Sequence, residues 1–397
     1  MPDSEPEAGT GPLAGVRVLD LSRIVAAPFA TMALGELGAD VLKVERTGAG
    51  DDSRTWGPPF AEGESAYYLA VNRNKRSLCR DMSDPADQDV VRRLATEWAD
   101  VVVENYRAGS LERWNLSLDS LRAANPRLIT ATLTGYPPGD TRPGYDFIAQ
   151  ADTGVMSLIG EPDGAPHKVG YPVSDLSAGM FLLSGLLAAL FQRERTGRGQ
   201  HLTVSIWEAQ VATQVNVNQN YLLTKTRPRR LGNAHPQVAP YEMIRVADGF
   251  VAVAVANERQ FRHLLAALGL SALASDPRFA RNPDRVAHRA ELIAAIESVT
   301  SSLSSAEALG LLRRHDIACA QIRTIDEVLT SEEAELAGTV VRLEHPTIGE
   351  LPVVRLPWRF SAARTGPRTP PPLLGQHNDA PGEILGAEPV PSQTPMP

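Results

Sequence analysis

The sequence predicts an α/β protein whose large domain is a parallel sheet with helices on both faces. Short apolar runs of strand length alternate with helical patterns from residue 12 to about residue 206. A parallel strand pair needs a crossover connection of a dozen or more residues, and the helical patterns lie where those crossovers are needed. After about residue 231 the pattern changes to a hairpin followed by helices, which predicts a smaller α+β domain.

The first three elements are the best defined. Residues 16–21 are a β-branched, apolar run, residues 24–37 are apolar at helical spacing and stop at Gly38, and residues 39–45 form a second strand pattern. A βαβ unit of this length predicts a parallel pair with a right-handed crossover. The alternation continues with helix 89–99, strand 99–104, helix 118–124 and strand 127–133.

A long apolar helical pattern then covers residues 178–191 and stops at the Thr-Gly-Arg-Gly sequence of residues 196–199. Residues 200–206 predict a strand and a helix follows from Trp207. Residues 241–246 and 249–255 predict a hairpin around Asp248-Gly249, since Asp-Gly is a favoured tight-turn pair. Three helical segments, a strand at 317–322 and two further strands at 340–343 and 350–355 complete the pattern.

These elements predict a domain order along the chain. We expect disordered tails at 1–10 and 386–397, a large domain that begins at 11–220, a linker at 221–231, a small domain at 232–330 and a return to the large domain at 331–385.

Composition excludes several classes of function. The net charge of −8 argues against a nucleic-acid partner, which requires a basic surface. The longest apolar run is shorter than the roughly 20 residues that a spanning helix needs, so no membrane partner is expected. The two cysteines, Cys79 and Cys319, have neither disulfide-framework nor zinc-site spacing, which favours a cytoplasmic location and predicts no metal site.

Asp175 is the most informative single residue. It lies in a Gly/Pro-containing turn just before the apolar helical pattern. An unpaired buried charge is costly, so an acid at this position is better explained by a ligand than by packing. We therefore take Asp175 as the candidate covalent nucleophile.

Two other segments contain candidate residues near such a site. Asp146, with Tyr145 beside it, could orient the nucleophile or exchange a proton, although a cap or turn role is at least as compatible with its spacing. His235 lies in a Gly/Asn/Pro loop that could form a lid, and a structural role is the alternative. Trp56, Tyr67, Tyr145 and Tyr171 could line an acyl pocket or simply pack in the core.

Basic residues lie on loops next to predicted strand ends, at Arg46, at Arg73 to Arg76 and at Arg107 to Arg113. Ligands of open α/β sheets bind at the carboxyl ends of the strands, and arginine suits phosphate, so these loops could hold a phosphorylated ligand. A solvated charged surface is the alternative for any one of them. The first strand–helix loop, which begins at Leu21, has neither GxGxxG nor a P-loop sequence, which disfavours standard dinucleotide and triphosphate sites.

Taken together, these segments resemble the class III CoA-transferases, the formyl-CoA transferase and carnitine-CoA transferase type, a family that also contains the α-methylacyl-CoA racemases. The resemblance runs from about Pro12 to Leu385. It rests on PLAGVRVLDLSR at 12–23, LGELGADVLKVE at 34–45, NRNKRSLCRDM at 72–82, VVVENYRAGSLERW at 101–114, GYDFIAQADTG at 144–154, the Asp175 segment, GNAHP at 232–236 and LGQHND at 374–379.

The resemblance implies a Rossmann-like large domain built from both chain ends, a smaller inserted domain and an interlocked homodimer. It implies an acyl-CoA and a carboxylic acid as substrates, with no tightly bound cofactor. Asp175 would attack the thioester to form a mixed anhydride and then an aspartyl-CoA thioester. A glycine-containing loop at Gly232 and Asn233 would cover the intermediate. The CoA contacts that the resemblance implies are Arg23, Ile24, Val25, Ala26, Arg46, Asn74, Lys75, Asn105, Tyr106 and Arg113.

Two positions depart from branches of that family. Val25 stands where the oxalate-specific formyl-CoA members have glutamine, which argues against oxalate specificity. Tyr145 stands where the racemases have a catalytic histidine, which favours CoA transfer over racemisation. Asp146 keeps α-methylacyl-CoA racemisation as the alternative, and a non-catalytic acyl-CoA-binding protein, which an intact Asp175 argues against, is the second alternative.

Overall fold

The computed structural model describes residues 11–385, so the predicted tails at 1–10 and 386–397 lie outside the described residues. The chain forms two compact units. The larger takes the described residues up to Val155, Lys168–Thr226 and those from Glu335 on, and the smaller takes Met156–His167 and Arg227–Ala334. The smaller unit thus includes a segment, 156–167, that the sequence analysis assigned to the large domain.

Eight strands lie in the first two segments of the large unit. They are β1 Arg17–Asp20, β2 Asp40–Glu45, β3 Phe60–Ala61, β4 Glu64–Ser65, β5 Lys75–Cys79, β6 Val101–Glu104, β7 Ile129–Thr134 and β8 His201–Ser205. β3 and β4 form a small antiparallel ribbon. The other six form one sheet in the order β5-β2-β1-β6-β7-β8, and every neighbouring pair in it is parallel.

This sheet confirms the predicted α/β class and has the strand order of a Rossmann fold. From β1 the chain moves outward to β2 and β5, then returns to place β6 on the other side of β1. The order therefore reverses between β1 and β6. In such sheets the crevice at the carboxyl ends of the two strands at the reversal is the usual binding site.

Nine helices accompany these strands in the described residues of the same two segments. They are α1 Ala26–Glu36, α2 Ala66–Val71, α3 Pro85–Arg93, α4 Ser110–Arg113, α5 Leu118–Ala124, α6 Asp146–Asp152, α7 Val173–Thr196, α8 Ile206–Thr213 and α9 Val215–Thr224. α3 continues into a π-helical turn, Leu94–Trp98, so the helix predicted at 89–99 has two parts. Apolar clusters on both sheet faces are buried, one against α1 and α7 and the other against α3 and α5.

The long apolar helix begins earlier than the sequence pattern predicts. α7 starts at Val173, so Asp175 lies in the first helical turn and not in a turn before the helix. α7 is long and apolar enough to cross a membrane by length and composition, but half of that stretch is buried within the protein. A core helix of a soluble protein passes the same test. The helix ends as predicted, with Gly197 in the left-handed conformation that favours glycine.

The smaller unit is an α+β layer. The predicted hairpin is present as β9 Tyr241–Val246 and β10 Gly249–Ala254, and β11 Ala318–Gln321 pairs antiparallel with β10. An apolar cluster that includes Phe261 and Leu292 packs beneath them. The helices of the smaller unit are α10 Glu258–Ala267, α11 Asn282–Ala287, α12 Arg289–Thr300, α13 Ser305–Arg314 and α14 Ile325–Leu329.

After α15 Glu332–Leu336 the chain is part of the large unit again. The two predicted strands are β12 Val340–His345 and β13 Gly349–Val354, which pair antiparallel with each other and not with the six-stranded sheet. The following loop runs along β5, where the Asn74 backbone N–H donates to the Thr369 carbonyl at 3.0 Å. The last element is α16 Ala380–Leu385.

Candidate active site

A cleft of about 450 Å³ opens where the strand order reverses. Its walls come from the ends of β1 and β2 and from the loops that follow β2, β5 and β6. The side chains that line it include Arg23, Arg46, Asp51, Tyr106, Arg107 and Trp114. Three predicted CoA contacts, Arg23, Arg46 and Tyr106, are thereby brought together although they follow three different strands.

The loop between β1 and α1 is held in place by side chains from other strands. Asn105 accepts from the Arg23 backbone N–H and donates to the Arg23 carbonyl, both at 2.8 Å. The Ile24 N–H donates to both carboxylate oxygens of Asp51, at 3.1 and 3.2 Å. Asn105, a predicted CoA contact, therefore acts on the loop backbone.

Ile24 has a φ of 74°, which places a β-branched residue in the left-handed region. This conformation is strained and persists only where the surroundings enforce it. The strain turns the chain so that Val25 and Ala26 enter the buried start of α1. Within residues 11–385, no acceptor is recorded for the backbone N–H groups of these two residues.

Buried ion pairs lie under this loop. Lys43 pairs with Asp51 and Lys75 pairs with Asp20, each at 2.9 Å between fully buried side chains. Burial works to raise the pKa of Asp20, but the charges of Lys75 and Lys43 outweigh it and the pKa is lowered. These pairs support the loop from below, and the Lys43 ammonium also donates to the Ser22 carbonyl at 2.5 Å.

Several predicted CoA contacts are placed elsewhere. The Lys75 ammonium is enclosed by Asp20, the Pro28 carbonyl and Asn72, and Lys75 is not among the residues lining the cleft. Asn74 binds Gly366, Arg368 and Thr369 of the returning segment. Both lie at the amino end of β5, whereas ligands of such sheets bind at the carboxyl ends of the strands. Arg113 stays near the cleft and donates to Ser110 at 3.1 Å.

Asp175 is only 7% exposed. Within residues 11–385, no group donates a hydrogen bond to its carboxylate and no cation pairs with it. Burial, followed by the charge of Asp146, raises the pKa of Asp175 to about 7. A position in the first turn of a helix favours the ionised form of an acid, but desolvation raises the pKa of this one.

Asp146 is held by hydrogen bonds next to Asp175. Its carboxylate accepts from the Ser174 backbone N–H at 2.9 Å and from the Gln150 side chain at 2.7 Å. Asp146 thus binds the first turn of α7, although it lies in the first turn of α6. Asp146 is the N-cap residue of neither helix, since those positions are Tyr145 and Pro172, but its hydrogen bond to Ser174 places it next to Asp175.

Two buried glutamines complete this network, and the sequence analysis missed both. Gln150 also accepts from the Val169 backbone N–H at 2.8 Å, and Gln210 accepts from the Ser174 hydroxyl at 2.9 Å. The spacing of Asp146 and Gln150, one helical turn apart, was a readable signal for the first. Nothing in the local sequence indicates the second, because Gln210 follows Ser174 by 36 residues.

An aromatic wall lies beside Asp175. Tyr67 packs near Leu176 and meets Trp56 edge to face, with 5.0 Å between ring centroids. Burial and then the charges of Asp175 and Asp146 raise the pKa of the Tyr67 hydroxyl. Tyr145 and Tyr171 are both more than half exposed, so they are not core residues of this unit.

The predicted covering loop belongs to the smaller unit. Gly232 has a φ of 59°, and its N–H donates to the Gly160 carbonyl at 3.2 Å. Asn233 lies in the same turn, which the Ala234 N–H closes on the Leu231 carbonyl. The His235 ring packs against Tyr241, with centroids 5.1 Å apart.

Among residues 11–385 no group of three or more His, Cys, Asp or Glu is placed to hold a metal ion. The site offers two chemical features: a cleft with arginines and aromatic walls, and a desolvated carboxylate that accepts no hydrogen bond from the described residues 11–385.

Comparison with known proteins is consistent with these features. Residues 13–378 match the model of CoA-transferase family III. The chain is 41% identical to a succinate–glutarate CoA-transferase of Agrobacterium fabrum, over 95% of each chain. It is 39% identical to the succinyl-CoA:glutarate CoA-transferase of Mus musculus, over 92% of this chain and 84% of that one. A CaiB/BaiF family protein from Brucella suis has a similar structure, with a TM-score of 0.82, 39% identity and coverage of 94% of this chain and 98% of that one.

Proposed function

This chain belongs to CoA-transferase family III and is a CoA-transferase, and we propose that Asp175 is its covalent nucleophile. The observation that carries the proposal is the state of this carboxylate. It is buried, it accepts no hydrogen bond from residues 11–385, and its pKa is about 7. A desolvated carboxylate is a stronger nucleophile than a hydrated one, and at this pKa a large fraction is still ionised near neutral pH.

The covalent sequence conserves atoms and charge. A carboxylate oxygen of Asp175 attacks the acyl carbon, the C–S bond breaks, and a mixed anhydride and CoA thiolate form. The thiolate attacks the Asp175 carbonyl carbon, which releases the donor acid and leaves an aspartyl-CoA thioester. The acceptor carboxylate attacks this thioester and forms a second anhydride with release of thiolate. The thiolate then attacks the acceptor's carbonyl carbon, which yields the new acyl-CoA and free Asp175.

CoA is proposed to lie in the cleft at the strand reversal. Arg23 and Arg46 contact its phosphates, and Tyr106, over which the Arg23 guanidinium stacks at 5.0 Å, provides an apolar wall. Arg23 lines this cleft and the Ala26 carbonyl lies close to Gly179 of α7, so the loop between them is the proposed path of the pantetheine end toward Asp175. We assign supporting roles to Asn105, Lys75 and Asn74. The side chains of Asn105 and Asn74 bind backbone groups of other loops, and the Lys75 ammonium pairs with the buried Asp20.

Asp146 is proposed to position Asp175 and to raise its pKa. Its two hydrogen bonds fix the first turn of α7, and its charge disfavours ionisation of the neighbouring acid. Gly232 and Asn233 are proposed, as the family resemblance implies, to cover the acyl intermediate.

The acceptor and donor are proposed to be short dicarboxylic acids and their CoA thioesters. The Agrobacterium fabrum and Mus musculus relatives are both named for succinate or succinyl-CoA together with glutarate. A racemase would need a second acid/base group on the opposite face of the α-carbon. Tyr145, at the position where that resemblance expects histidine, is 53% exposed and carries a phenol in place of an imidazole.

We also propose that the enzyme is a cytoplasmic homodimer. Large apolar side chains stay exposed on α6, α7 and α9 of the large unit, and an apolar surface of this extent favours a protein partner. They are Phe147, Ile148, Met180, Phe181, Phe191, Tyr221, Leu222 and Leu223. The cysteines, Cys79 and Cys319, are free, as expected in a reducing compartment.

Mass spectrometry tests the covalent step. Purified enzyme is incubated with succinyl-CoA, then treated with borohydride or hydroxylamine and digested. We expect CoA-dependent modification at Asp175, loss of transfer in Asp175→Ala and Asp175→Asn, and no exchange of α-protons with solvent deuterium. Asp163, an exposed acid of the smaller unit, provides the control variant Asp163→Asn. Full transfer activity in Asp175→Ala would refute the mechanism.

A further inference from the structure

Asp52 joins two of the arginines that line the cleft, Arg23 and Arg46. One carboxylate oxygen lies 3.0 Å from Arg23 Nη1 and the other lies 2.6 Å from Arg46 Nη2. Arg23 comes from the loop after β1 and Arg46 directly follows β2. One side chain thus holds, from a third segment, both cationic groups that the proposed function assigns to the CoA phosphates.

The segment that carries Asp52 is firmly anchored. It follows Gly50, which has a φ of 67°, a conformation that favours glycine. A Cβ at this position would also clash with Leu374 and Glu45. Asp51 is buried and bound to Lys43, and Arg54 forms a bidentate pair with Glu45 at 2.8 Å. Because its flanking residues are fixed, Asp52 stays beside the cleft whether or not a ligand is present.

The two arginines retain unused donors. Asp52 is the acceptor recorded for each guanidinium among residues 11–385. The Arg23 Nε is buried without a partner in the same part of the chain. A guanidinium has five N–H donors in a fixed fork that matches a phosphate. Each arginine can therefore accept an anionic ligand, but the carboxylate of Asp52 already offsets part of the charge that would attract it.

We propose that Asp52 is an internal competitor of the CoA phosphates for Arg23 and Arg46, which weakens acyl-CoA binding so that the product thioester can leave. The inference rests on the proposed placement of CoA in this cleft. Substrate and product of a CoA-transferase carry the same phosphates, so phosphate binding stabilises both equally and does not speed the chemical steps. Excess affinity would slow product release, which limits turnover in many enzymes.

The test is calorimetric titration of the full-length enzyme with free CoA, at low and high salt. Asp52→Asn removes the charge and keeps the size of the side chain. We expect CoA to bind about 2- to 5-fold more tightly to this variant at low salt, the range of exposed ion pairs, with a smaller difference at high salt because ions screen it. Asp52→Ala should show the same direction.

The matched control is Asp40→Asn. Asp40 pairs with Arg76 at 2.7 Å in a similarly exposed surface pair, but it lies at the start of β2, away from the carboxyl ends of the strands. Its replacement should leave the dissociation constant for CoA unchanged. Thermal unfolding of each variant confirms that it is folded.

Unchanged or weaker CoA binding by folded Asp52→Asn and Asp52→Ala would overturn the proposal, since Asp52 would then help binding by positioning the arginines. Arg46→Gln separates this from failure of the CoA placement. If Arg46→Gln binds CoA as tightly as wild type, the cleft is not the phosphate site and both claims about it fall. The adduct at Asp175 would be unaffected by that result.

Discussion

The raised pKa of Asp175 predicts a steep pH dependence of transfer. Only the ionised carboxylate is nucleophilic. With a pKa of about 7, roughly 9% of Asp175 is ionised at pH 6 and roughly 91% at pH 8, so kcat/KM should rise about tenfold between these values. At the ordinary aspartate pKa of 3.8, the ionised fraction would change by only about 1% over the same range.

Asp146→Asn measures how much of this shift comes from the neighbouring acid. The asparagine keeps an amide oxygen that can accept from the Ser174 N–H, but it loses the charge. Burial is the larger cause of the raised pKa of Asp175, so Asp146 accounts for the smaller part of a difference of about 3. The midpoint of the profile should therefore fall by less than half of that difference, and the transfer rate around pH 6 should depend less on pH.

The assay is the initial rate of succinyl-CoA:glutarate exchange from about pH 5.5 to 8.5 for wild type, Asp146→Asn and Asp152→Asn. Asp152 lies on the same helix, and its exposed carboxylate lies 3.6 Å from Arg142, so its replacement should not move the midpoint. Ionisation of the CoA phosphate affects all three enzymes alike and cancels in the comparison. A flat wild-type profile, or equal midpoints for wild type and Asp146→Asn, would refute the reasoning.

Three further predictions concern stability and positioning. The wild-type free energy of unfolding should fall between about pH 4 and pH 7, because Asp175 ionises in the unfolded chain while its raised pKa of about 7 keeps it protonated in the folded protein. Asp175→Asn should therefore match the wild type in stability below about pH 4 and exceed it by up to about 4 kcal/mol above pH 7. Unfolding at several pH values measures this difference. Gln150→Leu should lower kcat more than it raises KM, because Asp146 loses a donor, and steady-state kinetics separate the two parameters. Gly179→Ala should destabilise by roughly 1–3 kcal/mol in thermal unfolding, because its Cβ would lie 2.6 Å from a backbone carbonyl of α1, whereas Gly310→Ala on α13 meets only a flexible arginine tip.

The fold was largely readable from local patterns. Strand and helix periods predicted β1, α1 and β2 within a few residues, and the Asp248-Gly249 pair predicted the β9–β10 hairpin. These features depend on residues close in sequence. The boundary at the start of α7 was misplaced, because Pro172 and Tyr171 read as a turn while the helix N-terminus is completed by Asp146 from another helix.

The candidate site was predictable in composition but not in arrangement. The basic loops indicated an anionic ligand, and Arg23, Arg46 and Tyr106 do meet in one cleft. Lys75 shows where prediction of the site from basic loop residues fails. From sequence it is one more exposed cation near a strand end, whereas in the fold it is enclosed with Asp20, 55 residues earlier.

The sequence alone determined the α/β class and the family resemblance, and it singled out Asp175 as the candidate nucleophile, since each depends on residue type and local order. Only the tertiary structure decided the state of that acid. Desolvation and the repulsion of Asp146 set its pKa, and both arise from groups that folding brings together across the chain. The same holds for Asp52, whose two arginine partners lie on different loops. The sequence identifies which side chains can carry a charge, but the energy of each charge depends on its burial and on the charges that folding places nearby.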